Sequence, residues 1–178
     1  MKSIKHIALT AILAVSAFGA VLYTSCSKDA CKGVTCQNGG TCSGGNCTCA
    51  PGYEGTSCEA LSQSKFTGKT WTASDKEVTS GSTIPTYVAT FTAGATVTDL
   101  NIGDFSGKTG TGTSFFVNDV KATLTDSVTV TIASQAPDND GYTVSGSGSY
   151  NAATKQITWT YTLGNPAGTL VSYTGSWQ

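Results

Sequence analysis

The stretch Ile157-Thr158-Trp159-Thr160-Tyr161-Thr162-Leu163 alternates large apolar side chains with threonines without a break. Successive side chains of a strand point to opposite faces, so this run makes a strand with Ile157, Trp159, Tyr161 and Leu163 on a buried face and three hydroxyls on a wet one. The same period of two puts Val128, Val130 and Ile132 on one face, and Val171, Tyr173 and Trp177 on another. From residue 61 onward there are 24 threonines, all three tryptophans and no cysteine. Thr, Val, Tyr and Trp favour strands, and no segment keeps a helical period.

Working outward from Ile157, turn residues divide this region into about eight strands, near 67–78, 85–93, 96–103, 115–125, 127–135, 142–150, 155–163 and 170–177. Ser80-Gly81-Ser82, Ala93-Gly94, Ser106-Gly107, Pro137 to Gly141, Asn151-Ala152-Ala153 and Gly164-Asn165-Pro166 are the punctuation. Short connectors favour an up-and-down meander, and eight such strands can close and so remove their edges. The expected fold is mainly β, with residues 66–178 as an eight-stranded up-and-down barrel; a two-sheet sandwich is the alternative. The domain resembles lipocalin-like and calycin-like lipoprotein domains of Bacteroidota. Thr67-Gly68-Lys69-Thr70-Trp71 is similar to the lipocalin opening, with one residue more between Gly and Trp. Trp71, Trp159, Tyr161 and Trp177 carry two readings: packed barrel core, or lining of a ligand cavity.

Upstream the chemistry changes. Cys31, Cys36, Cys42, Cys47, Cys49 and Cys58 fall within 28 residues, too few for a hydrophobic core, so residues 31–59 depend on disulfides or metal to fold. Six cysteines allow fifteen pairings. Cys47 and Cys49 share one face of an extended strand and are poorly placed to bridge each other. Cys36-Gln-Asn-Gly-Gly-Thr-Cys42 and Cys47-Thr-Cys49-Ala-Pro-Gly-Tyr-Glu-Gly-Thr-Ser-Cys58 resemble an epidermal-growth-factor-like module. That resemblance implies the pairs Cys31–Cys42, Cys36–Cys47 and Cys49–Cys58. Zinc does not suit an exported chain without paired CxxC spacing. Ala30 stands where calcium-binding members carry Glu or Gln, leaving too few oxygen ligands, so no metal and no cofactor is expected.

The first residues read as an address. Lys2 and Lys5 precede an apolar run from Ile7 to Leu22, the form of a secretory signal peptide over 1–25. Tyr23-Thr24-Ser25-Cys26 resembles the lipobox of bacterial lipoproteins, which implies cleavage before Cys26 and a diacylglyceryl group on its sulfur. Cys26 is also the odd cysteine once the other six pair. Ser27-Lys28-Asp29 resembles the short signals that send Bacteroidota-type lipoproteins to the outside of the outer membrane; a solvated linker over 26–30 is the alternative. The expected location is the outer membrane, through the lipid anchor. Glu59 to Lys65 lacks a strong pattern, and residues 60–65 are expected to be a linker between two thermodynamically separate domains.

Composition limits function. There is no arginine, and the single histidine, His6, lies in the leader. The mature chain therefore lacks the residues of a histidine triad, a histidine metal site or a bidentate arginine clamp. A formal charge of -1 gives no footprint for nucleic acid. Asp138-Asn139-Asp140-Gly141 reads as a turn, Gly146-Ser147-Gly148 as a strand bulge or bend, and Gly107 to Gly112 as a loop. The expectation is a non-enzymatic, membrane-anchored protein that binds a small ligand, glycan or envelope protein. The alternative is a carboxylate-dependent hydrolase, with Asp99 and Asp104, or Asp138 and Asp140, as its acids.

Overall fold

The structure, a computed structural model, describes residues 30–107 and 115–178. The signal peptide, Cys26, residues 27–29 and the greater part of the glycine-rich loop lie outside the described residues. Eight strands follow one another around a closed antiparallel barrel: β5 (Thr70–Glu77), β6 (Tyr87–Ala93), β7 (Asp99–Gly103), β8 (Val120–Leu124), β9 (Thr129–Gln135), β10 (Thr143–Asn151), β11 (Gln156–Gly164) and β12 (Leu170–Trp177). Each pairs with its neighbour in sequence, and β12 returns to β5 through Tyr173–Glu77 to Trp177–Ala73. That closure excludes the sandwich.

The alternation that predicts the strands also fills the barrel. Trp71, Ala73 and Asp75 of β5, Tyr87, Ala89 and Phe91 of β6, and Ile157, Trp159 and Tyr161 of β11 are all buried, with the threonines and serines between them outside. Phe66 enters one end of the barrel and Phe105 the other. Gly148 makes room for the indole of Trp159: a Cβ there would lie 2.7 Å from its ring.

Residues 115–119, read as the start of a strand, are a loop instead. The carboxylate of Asp138 accepts hydrogen bonds from the backbone N–H groups of Val117 and Asn118, both at 2.8 Å, which takes them out of any ladder. Between β8 and β9 the ladder is short, Thr123–Thr131 and Leu124–Val130. Beyond it the Gln135 amide stands in for a peptide group, accepting from Lys121 N at 2.9 Å and donating to Lys121 O at 2.6 Å.

The cysteine-rich module is built of two small hairpins, β1 (Thr41–Ser43) with β2 (Asn46–Thr48), and β3 (Tyr53–Glu54) with β4 (Ala60–Leu61). Its disulfides are Cys31–Cys42, Cys36–Cys47 and Cys49–Cys58. Residues 60–65, expected to be a linker between the two domains, form β4 and a 3-10 turn, Ser62–Lys65. The turn is held because Ser62 N donates to Gly52 O at 2.9 Å and Lys65 reaches two ways. Its ammonium pairs with the Glu54 carboxylate of the module and donates to the Ser127 carbonyl of the barrel at 2.7 Å. Gly52 lies directly on the barrel, where a Cβ would come within 2.8 Å of Val97 Cγ2. The module is therefore seated on the end of the barrel that carries the β8–β9 turn.

Candidate functional site

Among the described residues, polar side chains gather in the interior around Asp75, in the groove where the module meets the barrel, and in a groove lined by Asn118, Asp119, Lys121 and Gln135.

Asp75 occupies an inward position of β5, in register with Trp71 and Ala73, and is 2% exposed. A buried carboxylate without hydrogen bonds would be very costly, and this one has three donors. Tyr87 and Tyr161 donate their hydroxyls to Oδ2 at 2.6 and 2.7 Å, and Trp177 Nε1 donates to Oδ1 at 2.9 Å. Ser106 N donates in turn to the Tyr87 hydroxyl at 3.1 Å. Gly175 leaves the space the carboxylate occupies, since a Cβ there would lie 2.1 Å from Oδ1. One carboxylate thus ties β5, β6, β11 and β12 together around the seam that closes the barrel. Burial first, and then the Asp75 charge, push the Tyr87 and Tyr161 phenols far above their usual value.

The four residues read as core or as cavity lining meet in this interior. Trp159 and Trp177 have ring centroids 5.1 Å apart, and Phe105 packs edge-on to Trp159 and Tyr161 at 5.7 and 4.9 Å. Trp71 meets Phe91 at 6.2 Å at the other end, its indole N–H bonded to Phe66 O at 3.0 Å. Each of the four is at most 1% exposed. All four belong to the buried hydrophobic cluster of the described residues. Of their side-chain polar atoms, Trp159 Nε1 alone has no hydrogen-bond partner among the described residues.

The acids named as hydrolase candidates do not converge in a cleft. Asp99 accepts from Thr96 N at 3.1 Å, Asp138 holds the 117–118 backbone, and Asp140 accepts from Tyr142 N at 3.0 Å. Asp104 lies in the turn after β7. Desolvation would raise Asp138, but the N–H groups of Asn118 and Val117 outweigh it and hold the carboxyl below the usual range. Asp75 and Glu77 do share the inward face of β5, about 7 Å apart along the strand. A reacting pair needs a substrate between its members, and Asp75 is buried under its three donors. The sequence reading passed over Asp75. Its signal was an acid on the apolar face of an alternating strand, Trp71-Thr72-Ala73-Ser74-Asp75.

The second place is a groove of about 420 Å³ between Cys49–Gly55 of the module and Thr125–Ser127 of the barrel. Tyr53, Glu54 and Asp126 line it, with Pro51, Thr125 and Ser127. Asp126 accepts from the N–H groups of Val128 and Thr129 at 2.8 Å, and these bonds, that of Val128 foremost, hold its carboxyl below the usual range.

No protein-family model matches the chain, and neither does any curated protein. Among solved structures the chain is similar to EF1p2_mFAP2b bound to DFHBI, at 17% identity and a TM-score of 0.46, over 66% of this chain and 95% of that one. It is also similar to a protein of Bacteroides fragilis NCTC 9343 provisionally assigned to the outer membrane, at 20% identity and a TM-score of 0.35, over 65% of this chain. The match spans about half, 51%, of that protein's length.

Proposed function

We propose that this chain is a non-enzymatic binding protein of the bacterial envelope, anchored in the outer membrane by lipid on Cys26. Residues 31–59 are an EGF-like module that serves as spacer and contact surface, and the lipocalin-like barrel carries the binding function. The observation that supports a surface binder over an internal carrier is the interior itself: Trp159 packs on Trp177, and Trp71, Trp159, Tyr161 and Trp177 each pack on Phe91 or Phe105. A ligand then meets the outside of the barrel, its ends, or the module. The anchor reading is supported by the Tyr23 to Cys26 motif and by the odd number of cysteines.

The test has two arms. Mass spectrometry of the native protein should find acyl chains on Cys26, and Cys26→Ala should move the protein out of the membrane fraction. The mature protein should capture members of a lipid, glycan or envelope-protein library without turning them over. Unchanged fractionation with an unmodified Cys26 contradicts the anchor. Turnover of any substrate that is abolished by Glu77→Gln contradicts the non-enzymatic reading.

A further inference from the structure

Lys65 bridges the two walls of the groove between module and barrel, pairing with Glu54 on one side and the Ser127 carbonyl on the other. The groove's walls belong to both, and its lining is unlike the barrel interior. Tyr53 is half-buried and stands apart from the barrel's aromatic core. Glu54 and Asp126 bring carboxylates, and Thr125 and Ser127 bring hydroxyls.

The chemistry of these groups narrows the ligand. An anion would need a free cation, yet no lysine lines the groove and the Lys65 ammonium is taken by Glu54 and the Ser127 carbonyl. A hard cation would need six to eight oxygens, and no group of three or more acidic, His or Cys side chains gathers among the described residues. A wholly apolar ligand would find apolar surface on Ala50, Pro51 and Tyr53, but it would also cover the carboxylates of Glu54 and Asp126 and give them no donor. The lining suits a neutral polyhydroxylated molecule. Its hydroxyls would donate to carboxylate oxygens, charge-assisted hydrogen bonds about twice as strong as neutral ones, and its C–H face would lie on Tyr53.

We propose that the groove formed by Tyr53, Glu54, Thr125, Asp126 and Ser127 binds a neutral sugar, so that the recognition site is shared by the module and the barrel. This rests on the reading of the chain as a binding protein and gives that reading a place and a ligand class. The site is lost when either half is displaced, because Glu54 and Asp126 come from opposite walls.

Amide chemical shifts of the mature protein test it, with methyl glucoside, methyl galactoside, methyl mannoside and N-acetylglucosamine added to tens of millimolar. At least one sugar should move the signals of residues 50–55 and 125–127 together and leave the Asp75 region still. Tyr53→Phe should keep binding, and Tyr53→Ala should weaken it about tenfold. If Tyr53→Ala disturbs the module, Ser127→Ala retains the carbonyl that holds Lys65 and should still weaken binding. No shift with any of the four sugars overturns the proposal, as do shifts confined to another part of the surface. Shifts in the groove with calcium chloride but with none of the sugars overturn it also. Should library members bind elsewhere while all four sugars leave the groove unmoved, the sugar site fails and the binding reading stands.

Discussion

The module and the barrel hold short strands together by different means. In the module, three disulfides close loops of 9 to 11 residues, and the strands they staple are two or three residues long. Its stability comes chiefly from restricting the unfolded chain. In the barrel the strands are five to nine residues long, and the cross-link is a carboxylate. From β5, Asp75 reaches β6 on its own side of the β5–β12 seam and β11 and β12 on the other, and its bonds exist only in the folded state. The difference teaches where each half is vulnerable: the module to reductant, the barrel to loss of one acid.

The largest effect should come from that acid. Asp75→Ala removes the acceptor of two buried hydroxyls and an indole N–H and opens space beside Gly175. We expect a loss of about 3–5 kcal/mol in urea unfolding followed by tryptophan fluorescence. Asp75→Asn should cost less, because one oxygen still accepts while its NH2 opposes a donor. Equal stability of Asp75→Ala and the parent would remove Asp75 from the account of closure.

Alkali sharpens the same contrast. The unfolded chain loses its tyrosine protons above pH about 10, whereas buried Tyr87 and Tyr161 keep theirs. The stability they contribute is complete below that pH and is lost as pH rises above it. Circular dichroism and tyrosinate absorbance should therefore show ionisation of these two only together with unfolding of the barrel. Their ionisation within a barrel that stays native would contradict the burial and bonding described here.

The smallest effect should be at the junction. Lys65→Met breaks the Glu54 pair and the bond to Ser127 O, both partly exposed, and should cost about 1 kcal/mol. Its signature is qualitative: the module and barrel should melt more independently in calorimetry. A variant whose transitions are unaltered would mean that Lys65 does not join the halves.

Much of the barrel was legible in the sequence, because alternation reports which face is buried, and the eight strands fall close to where turns and period placed them. The exceptions have local causes. Phe115 to Asp119 carries strand-forming residues, but Asp138, distant in sequence, captures two of its N–H groups. Residues 60–65 carry no periodicity because their order comes from Gly52 O, Glu54 and Ser127 O, partners on either side that no local pattern announces. Asp75 was visible as an acid in an apolar register, but its three donors lie 12, 86 and 102 residues away. The junction groove was not legible at all, since Tyr53 and Asp126 become neighbours only when the module seats on the barrel.

The most direct test of a covalently held module seated on a self-sufficient barrel is amide hydrogen exchange of the mature protein before and after reduction with dithiothreitol. The account predicts that protection is lost in residues 31–59, falls in Ser62–Lys65 and in the 125–128 turn, and persists in β5, β10, β11 and β12. Collapse of protection throughout the barrel would show that it is not self-sufficient, and unchanged protection at 62–65 and 125–128 would show that the module was never seated there.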